Sequence, residues 1–202
     1  MSGLAELRNA STVLIQNPGI EDAGDSGCMT SLLDPELGID RAVIVTVALS
    51  PSEWERRLAR QATGQLPPVD YIDVQTLSGS ASASDSADAP TPVATVPSPA
   101  DLVTLGETIH ELLNDAAEDG DRIGLSIHSV LDMLQFVDRE FLFKFLHLVG
   151  DRLRNVDAIG FYHLDSTVPE QLRVTLAHLC DTIVECDGEK IDISDGYYEP
   201  TK

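Results

Sequence analysis

Two groups of side chains in this chain have types and spacing that suit chemistry on a phosphate or an ester. Gly19, Gly24, Asp25 and Ser26 occupy the frame G-x-x-x-x-G-K-[ST], in which backbone N–H groups cradle phosphates, a Lys neutralises them and a hydroxyl holds Mg²⁺. Asp25 stands where that Lys is required. Glu21 and Asp22 add two more carboxylates, so a triphosphate would meet repulsion at this loop. A Gly-rich acidic connector explains the same residues without a ligand, and both readings stay open at this point. In the second group Ser126, Ser129 and Ser166 lie near His128 or His163, with Asp165 beside the latter. These are the residue types of a Ser/His/Asp hydrolase, but the chain has no G-x-S-x-G elbow to carry the nucleophile.

Both groups sit at the ends of apolar runs that must position them. Thr12 to Ile15 reads as a buried strand entering the loop with Gly19, Gly24 and Gly27, and Cys28 to Leu33 as the start of a helix. Arg41 to Ala48 is a second strand, covered on both faces. Ser50 then caps a helix, with Pro51 in its first position, Glu53 completing a capping box and Trp54 and Leu58 on its apolar face. Val69 to Val74 is a third strand. Residues 78–100 are mostly Ser, Ala, Asp, Thr and Pro, and are expected to be a flexible excursion. Asp101 caps a helix with Leu102, Leu105, Ile109, Leu112 and Leu113 on one face, and Arg122 to His128 is the fourth strand. A short segment around Val130 to Leu134 leads to a strongly amphipathic helix from Asp138 to Asn155. Its expected core face is Phe141, Phe145, Leu148, Val149 and Leu153, which leaves Phe136 and Phe143 for a partner. Val156 to Leu164 is the fifth strand, Pro169 opens the last helix, and 182–185 with 190–193 form a hairpin about Asp187 and Gly188. Alternating strands and helices predict an α/β fold: one domain over residues 1–202, with a mainly parallel sheet, helices on both faces and a C-terminal hairpin.

Composition bounds the partners. The 202 residues carry 34 Asp and Glu against 13 Lys and Arg, a formal net charge of -21. That balance disfavours nucleic acid and anionic membrane as partners, since both rely on Lys and Arg to displace counterions. Acid spread over every segment, with only Lys144, Lys190 and Lys202 as lysines, predicts a protein that is stable in K⁺ or other concentrated salt. Met1 to Ala10 carries Glu6 and Arg8 and no apolar core, so a cytoplasmic location is expected. Cys28, Cys180 and Cys186 lack C-x-x-C spacing and are expected to be reduced thiols.

Four stretches together carry a resemblance. The loop above, VTVALSPSEW (Val45 to Trp54), LSIHSVLDML (Leu125 to Leu134) and GFYHLDS (Gly160 to Ser166) are similar to elements of the RecA/KaiC-like P-loop ATPases. The chain more closely resembles short, lysine-less relatives from salt-loving archaea linked to signal transduction. The resemblance implies a three-layer α/β/α fold and assigns places to residues. Ala48 and Leu49 stand where working members carry a pair of glutamates. His128, followed by Ser129, stands where an Asp supports Mg²⁺, and His163, near Asp165, stands at the sensor position. Arg139, Arg152 and Arg154 are the candidates for an arginine finger. If the family's strand order holds, His128 and His163 end neighbouring strands and, with Asp165 and Cys28, offer a Zn²⁺ set; the simpler expectation is no metal and no cofactor. Phosphoryl transfer depends on positioned charge, and three of its parts are replaced together. The expectation is therefore a pseudo-ATPase with no catalytic residues, acting as a regulatory or signalling module on a protein partner or a second copy; the alternative is a nucleotide-binding switch. Phe143, Lys144 and His147 are the expected docking face, against an acidic counterpart.

Overall fold

The apolar runs become the strands of one sheet because each is buried on both sides and can satisfy its backbone only against a neighbour. In the computed structural model, residues 7–17, 33, 35–47, 49–61, 66–75, 92–165, 168–187 and 190–196 are described. The strands are β1 (Thr12–Asn17), β2 (Arg41–Thr46), β3 (Val69–Val74), β4 (Ala94–Val96), β5 (Ile123–His128), β6 (Ile159–Asp165), β7 (Thr182–Asp187) and β8 (Lys190–Asp195). Their order is β4-β3-β2-β5-β6-β1-β7-β8. Every pairing is parallel except that of β7 with β8, so the fold is the expected α/β class with its C-terminal hairpin.

Helices cover both faces. On one side lie α2 (Leu102–Asp119), α3 (Val130–Met133), α4 (Arg139–Asn155) and α5 (Glu170–Ala177), packed on Leu14, Val43, Ile72, Leu125 and Tyr162. On the other, α1 (Pro51–Gln61) lays Trp54 and Leu58 on Ala42, Ile44 and Tyr71. Alternate residues of β1 show the division: Leu14 joins the first layer, while Val13 and Ile15 join a cluster with Leu7, Leu37 and Phe161 on the second. The helix starts follow the sequence. Ser50 Oγ accepts from Glu53 N at 3.4 Å, and the Asp101 carboxylate accepts from Thr104 N at 3.0 Å. Gly160 lets α4 close on β6, since a Cβ there would lie 2.4 Å from Leu153 Cδ1. At the opposite end of the sheet from the histidines, Asp181 staples β1 to β7. Its carboxylate accepts from Ser11 N (2.9 Å), Thr12 N (3.0 Å) and Thr12 Oγ1 (3.1 Å). Burial raises the pKa of this group. The backbone donors, Arg154 and the Thr12 hydroxyl outweigh burial and hold it below the usual range.

Four expectations need correction. The stretch expected to be flexible, 78–100, contains β4, which pairs with β3 and buries Val96 completely. One β-branched anchor suffices where an edge strand already offers free backbone groups. On α4 the core face is Leu142, Phe145, Leu146, Val149, Gly150 and Leu153; Phe141 and Leu148 are 61% and 67% exposed. Phe143, assigned to a partner, is half-buried against the core instead. Finally, the thiols are not all reduced: Cys186 is disulfide-bonded, while Cys180 is free and buried, burial pushing its thiol pKa up.

Candidate functional site

Parallel strands present their carboxyl ends along one edge, where ligands of open α/β sheets bind. β5 delivers His128 there and β6 delivers His163 and Asp165. The two strands are hydrogen-bonded neighbours, with Ile127 opposite Tyr162. The histidines therefore meet as the resemblance implied, their ring centroids 4.6 Å apart and tilted by 34°. Trp54, brought in by the capped helix α1, packs edge-on against His128 at 4.4 Å. All three rings are buried: Trp54 is 0% exposed, His128 3% and His163 1%. They form a row running inward from the helix layer to the middle of the sheet, with the His128 carbonyl accepting from Val47 N at 3.2 Å.

The other expected site residues divide. Ser129 follows His128 through a cis peptide bond and is used locally: its hydroxyl donates to Asp132 Oδ2 at 2.7 Å and accepts from Asp132 N, capping α3. It is not presented as a nucleophile, and Ser126 is buried within β5. Asp165 ends β6 opposite Asn17 of β1. Gly19, Gly24, Asp25 and Ser26 lie outside the described residues, as do Glu21, Asp22, Gly27, Cys28, Ala48, Ser166 and Gly188. Leu49 is described and half-buried against the Trp54 layer. Of the candidate arginines, Arg154 is tied to Asp151 (2.7 Å) and Asp181 (3.5 Å), at the far end of the sheet from the histidines.

Two residues at this edge escaped sequence reasoning. Thr46 at the end of β2 donates its hydroxyl to Ile72 O (3.3 Å) and approaches Asp73 Oδ1 (3.5 Å). Asp73 is half-buried, and desolvation raises its pKa despite the Thr46 hydrogen bond. The signal available was a carboxylate breaking the apolar alternation of VDYIDV one residue before the strand ends. Among the described residues, the carboxyl ends of the strands carry no Lys or Arg. No group of three or more His, Cys, Asp or Glu in them is arranged to hold a metal ion. The edge thus offers carboxylates and aromatic nitrogen, and antiparallel β8 brings the Lys190 position to the same edge, opposite Asp187 at the end of β7.

A model described as a family of unknown function (DUF7504) matches residues 10–186. No curated protein matches the chain in sequence. Solved structures share the fold. One is protein PH0250 from Pyrococcus horikoshii OT3, 15% identical, with a TM-score of 0.57 over 91% of this chain and 85% of that one. Another is the uncharacterized protein PH0321 from Pyrococcus horikoshii in complex with an unknown peptide, 10% identical, with a TM-score of 0.59 over 87% and 76%. An ATPase from the type III secretion system of pathogenic bacteria aligns at 11% identity and a TM-score of 0.47, over 92% of this chain and 55% of its own. No described helix is long and apolar enough to cross a membrane.

Proposed function

This chain belongs to the family of unknown function DUF7504, and from that premise we propose that it is a catalytically inactive relative of the RecA/KaiC-like P-loop ATPases, working as a regulatory or signal-transduction interaction module. The observation that carries this reading is the place of His128. Where the resemblance requires a carboxylate to support Mg²⁺, an imidazole stands packed between Trp54 and His163 inside the protein. A buried ring in that position fills space that a metal and a phosphate would need, and is not the carboxylate that would support the metal. PH0321 holds a peptide on this fold, and we extend protein or peptide binding to this chain as part of the proposal. The evenly spread acid supports a halophilic archaeal cytoplasm, where salt screens the charge and K⁺ stabilises the fold.

Isothermal titration with ATP and Mg²⁺ in concentrated KCl, beside a phosphate-release assay, tests the proposal. We expect no hydrolysis above buffer. Turnover near 1 per second, on the order of ordinary enzymes, that vanishes in His128→Ala would overturn it. Saturable heat without turnover would instead favour the nucleotide-binding switch, a reading kept open by Asp73 and Asp165, which leave two carboxylates at the strand ends.

A further inference from the structure

On the helical face of the sheet α2 and α4 run side by side in the same direction, Gly106 against Phe145 and Asn114 bonded to Arg152. Between them is an open groove of about 440 Å³. Its walls are almost wholly apolar, although they face solvent: Val103, Phe141 and Leu148, which are 71%, 61% and 67% exposed, all line it. Single exposed apolar residues need no explanation, but three around one concavity mark a docking surface. The groove is built into the helices. Gly106 lies in the second turn of α2, where it weakens the helix, and a Cβ there would rest on the Phe145 ring at 3.4 Å. Without that Cβ the floor stays deep. From Phe141 to Arg152 the wall rises about 16 Å, the length of three turns of helix.

Charge identifies the occupant. The chain has 34 acidic residues against 13 basic ones, yet this lining holds a single acid, Glu107, beside Lys144, Arg152 and His110. Arg152 has no carboxylate partner among the described residues: it donates to the Asn114 amide oxygen, and its buried Nε meets no acceptor. A half-buried guanidinium left in this state is poised for an incoming carboxylate. Lys144 pairs with Glu140 at 2.7 Å, but both side chains are mostly exposed, so the pair exchanges readily for another acid. A second copy, with its uniform negative charge, would bring acid everywhere but no matching apolar ridge among its described exposed residues outside this same groove.

We propose that the groove between α2 and α4 binds an amphipathic helix of a partner protein, with apolar residues at i, i+4 and i+7 seated over Phe145 and Gly106, and acidic residues on its flanks meeting Arg152 and Lys144. This deepens the reading of the chain as an interaction module, and rests on it for the biological need of a partner. It also moves the docking face from Phe143 and His147 to the other side of α4.

The test uses a fluorescein-labelled helical peptide with Leu at i, i+4, i+7 and i+11 and Glu on both flanks, beside the same peptide with Lys for Glu. Anisotropy is read at the lowest KCl concentration at which circular dichroism shows the full chain folded. The Glu peptide should bind saturably and the Lys peptide about tenfold more weakly. Phe141→Ser with Leu148→Ser should weaken Glu-peptide binding about tenfold or more at an unchanged melting temperature. Lys144→Glu should narrow the gap between the two peptides. Failure of the Glu peptide to bind, equal binding of both peptides, or a dimer in light scattering that the Phe141→Ser, Leu148→Ser variant loses would each overturn the proposal, the last by naming a second copy as occupant. Nucleotide turnover in the same preparation would sink the inactive-domain reading while leaving the peptide result standing, so the two failures are distinguishable.

Discussion

The carboxyl edge of the sheet and the groove between α2 and α4 invert the usual arrangement of side chains. At the edge, residue types that do chemistry are buried: Trp54, His128 and His163 form a closed row of rings. In the groove, residue types that make cores are exposed, with Val103, Phe141 and Leu148 turned to solvent. A buried polar residue and an exposed apolar patch are the two deviations that carry information, because neither follows from folding alone. The difference teaches that stability at the edge and recognition in the groove are borne by separate residues, so each is open to mutation without the other.

Substitutions break or sharpen that contrast, and the largest effect belongs to Trp54. Trp54→Ala removes a fully buried ring from between α1 and His128, and should lower unfolding free energy by about 3–5 kcal/mol in a denaturant titration. A loss below about 1 kcal/mol would show that the row of rings is not packed as a unit. Next in size is Asp181, remote from both regions. Asp181→Ala deprives two backbone N–H groups and a hydroxyl of their acceptor, at a cost of about 1–2 kcal/mol near neutral pH. The folded-state pKa of Asp181 is depressed, so its contribution is fully present above the unfolded carboxylate range and is lost as pH falls through the folded value. The gap between wild type and variant should therefore close on acidification; a gap that stays constant into acid would assign the loss to something other than the charged carboxylate. A gain is expected at Gly106. Gly106→Ala should raise stability by about 1 kcal/mol through helix propensity, since the added methyl meets Phe145 at ordinary contact distance. The same methyl makes the groove shallower, so stability and peptide affinity should move in opposite directions. Smallest of all, Phe141→Ser with Leu148→Ser should change stability by less than about 0.5 kcal/mol, as for exposed positions elsewhere. A drop of several kcal/mol in that variant would return both residues to the core and abolish the contrast.

Local chemistry in the sequence determined the elements of this protein. Ser50 and Asp101 announce helix starts because a short side-chain acceptor before an apolar periodicity has one good use, the first free N–H groups of a helix. Unbroken runs such as Thr12 to Ile15 or Arg41 to Thr46 can only be strands buried on both faces. The acidic balance was legible in the same way, since it depends on residue identity and not on neighbours. Tertiary structure decided the rest. Helix α4 is apolar over an arc wide enough for two adjoining stripes, one through Leu142, Phe145, Leu146 and Val149, the other through Phe141 and Leu148. Periodicity cannot say which of them faces the sheet. The close approach at Gly150, where a Cβ would lie 3.0 Å from Thr12 Cγ2, fixes that rotation and turns the second stripe outward. The pairing of β5 with β6, the seat of Trp54 on His128 and the capture of Ala94–Val96 by β3 likewise join residues far apart in the chain. Such contacts are selected by the packing of the whole chain, which no local pattern encodes.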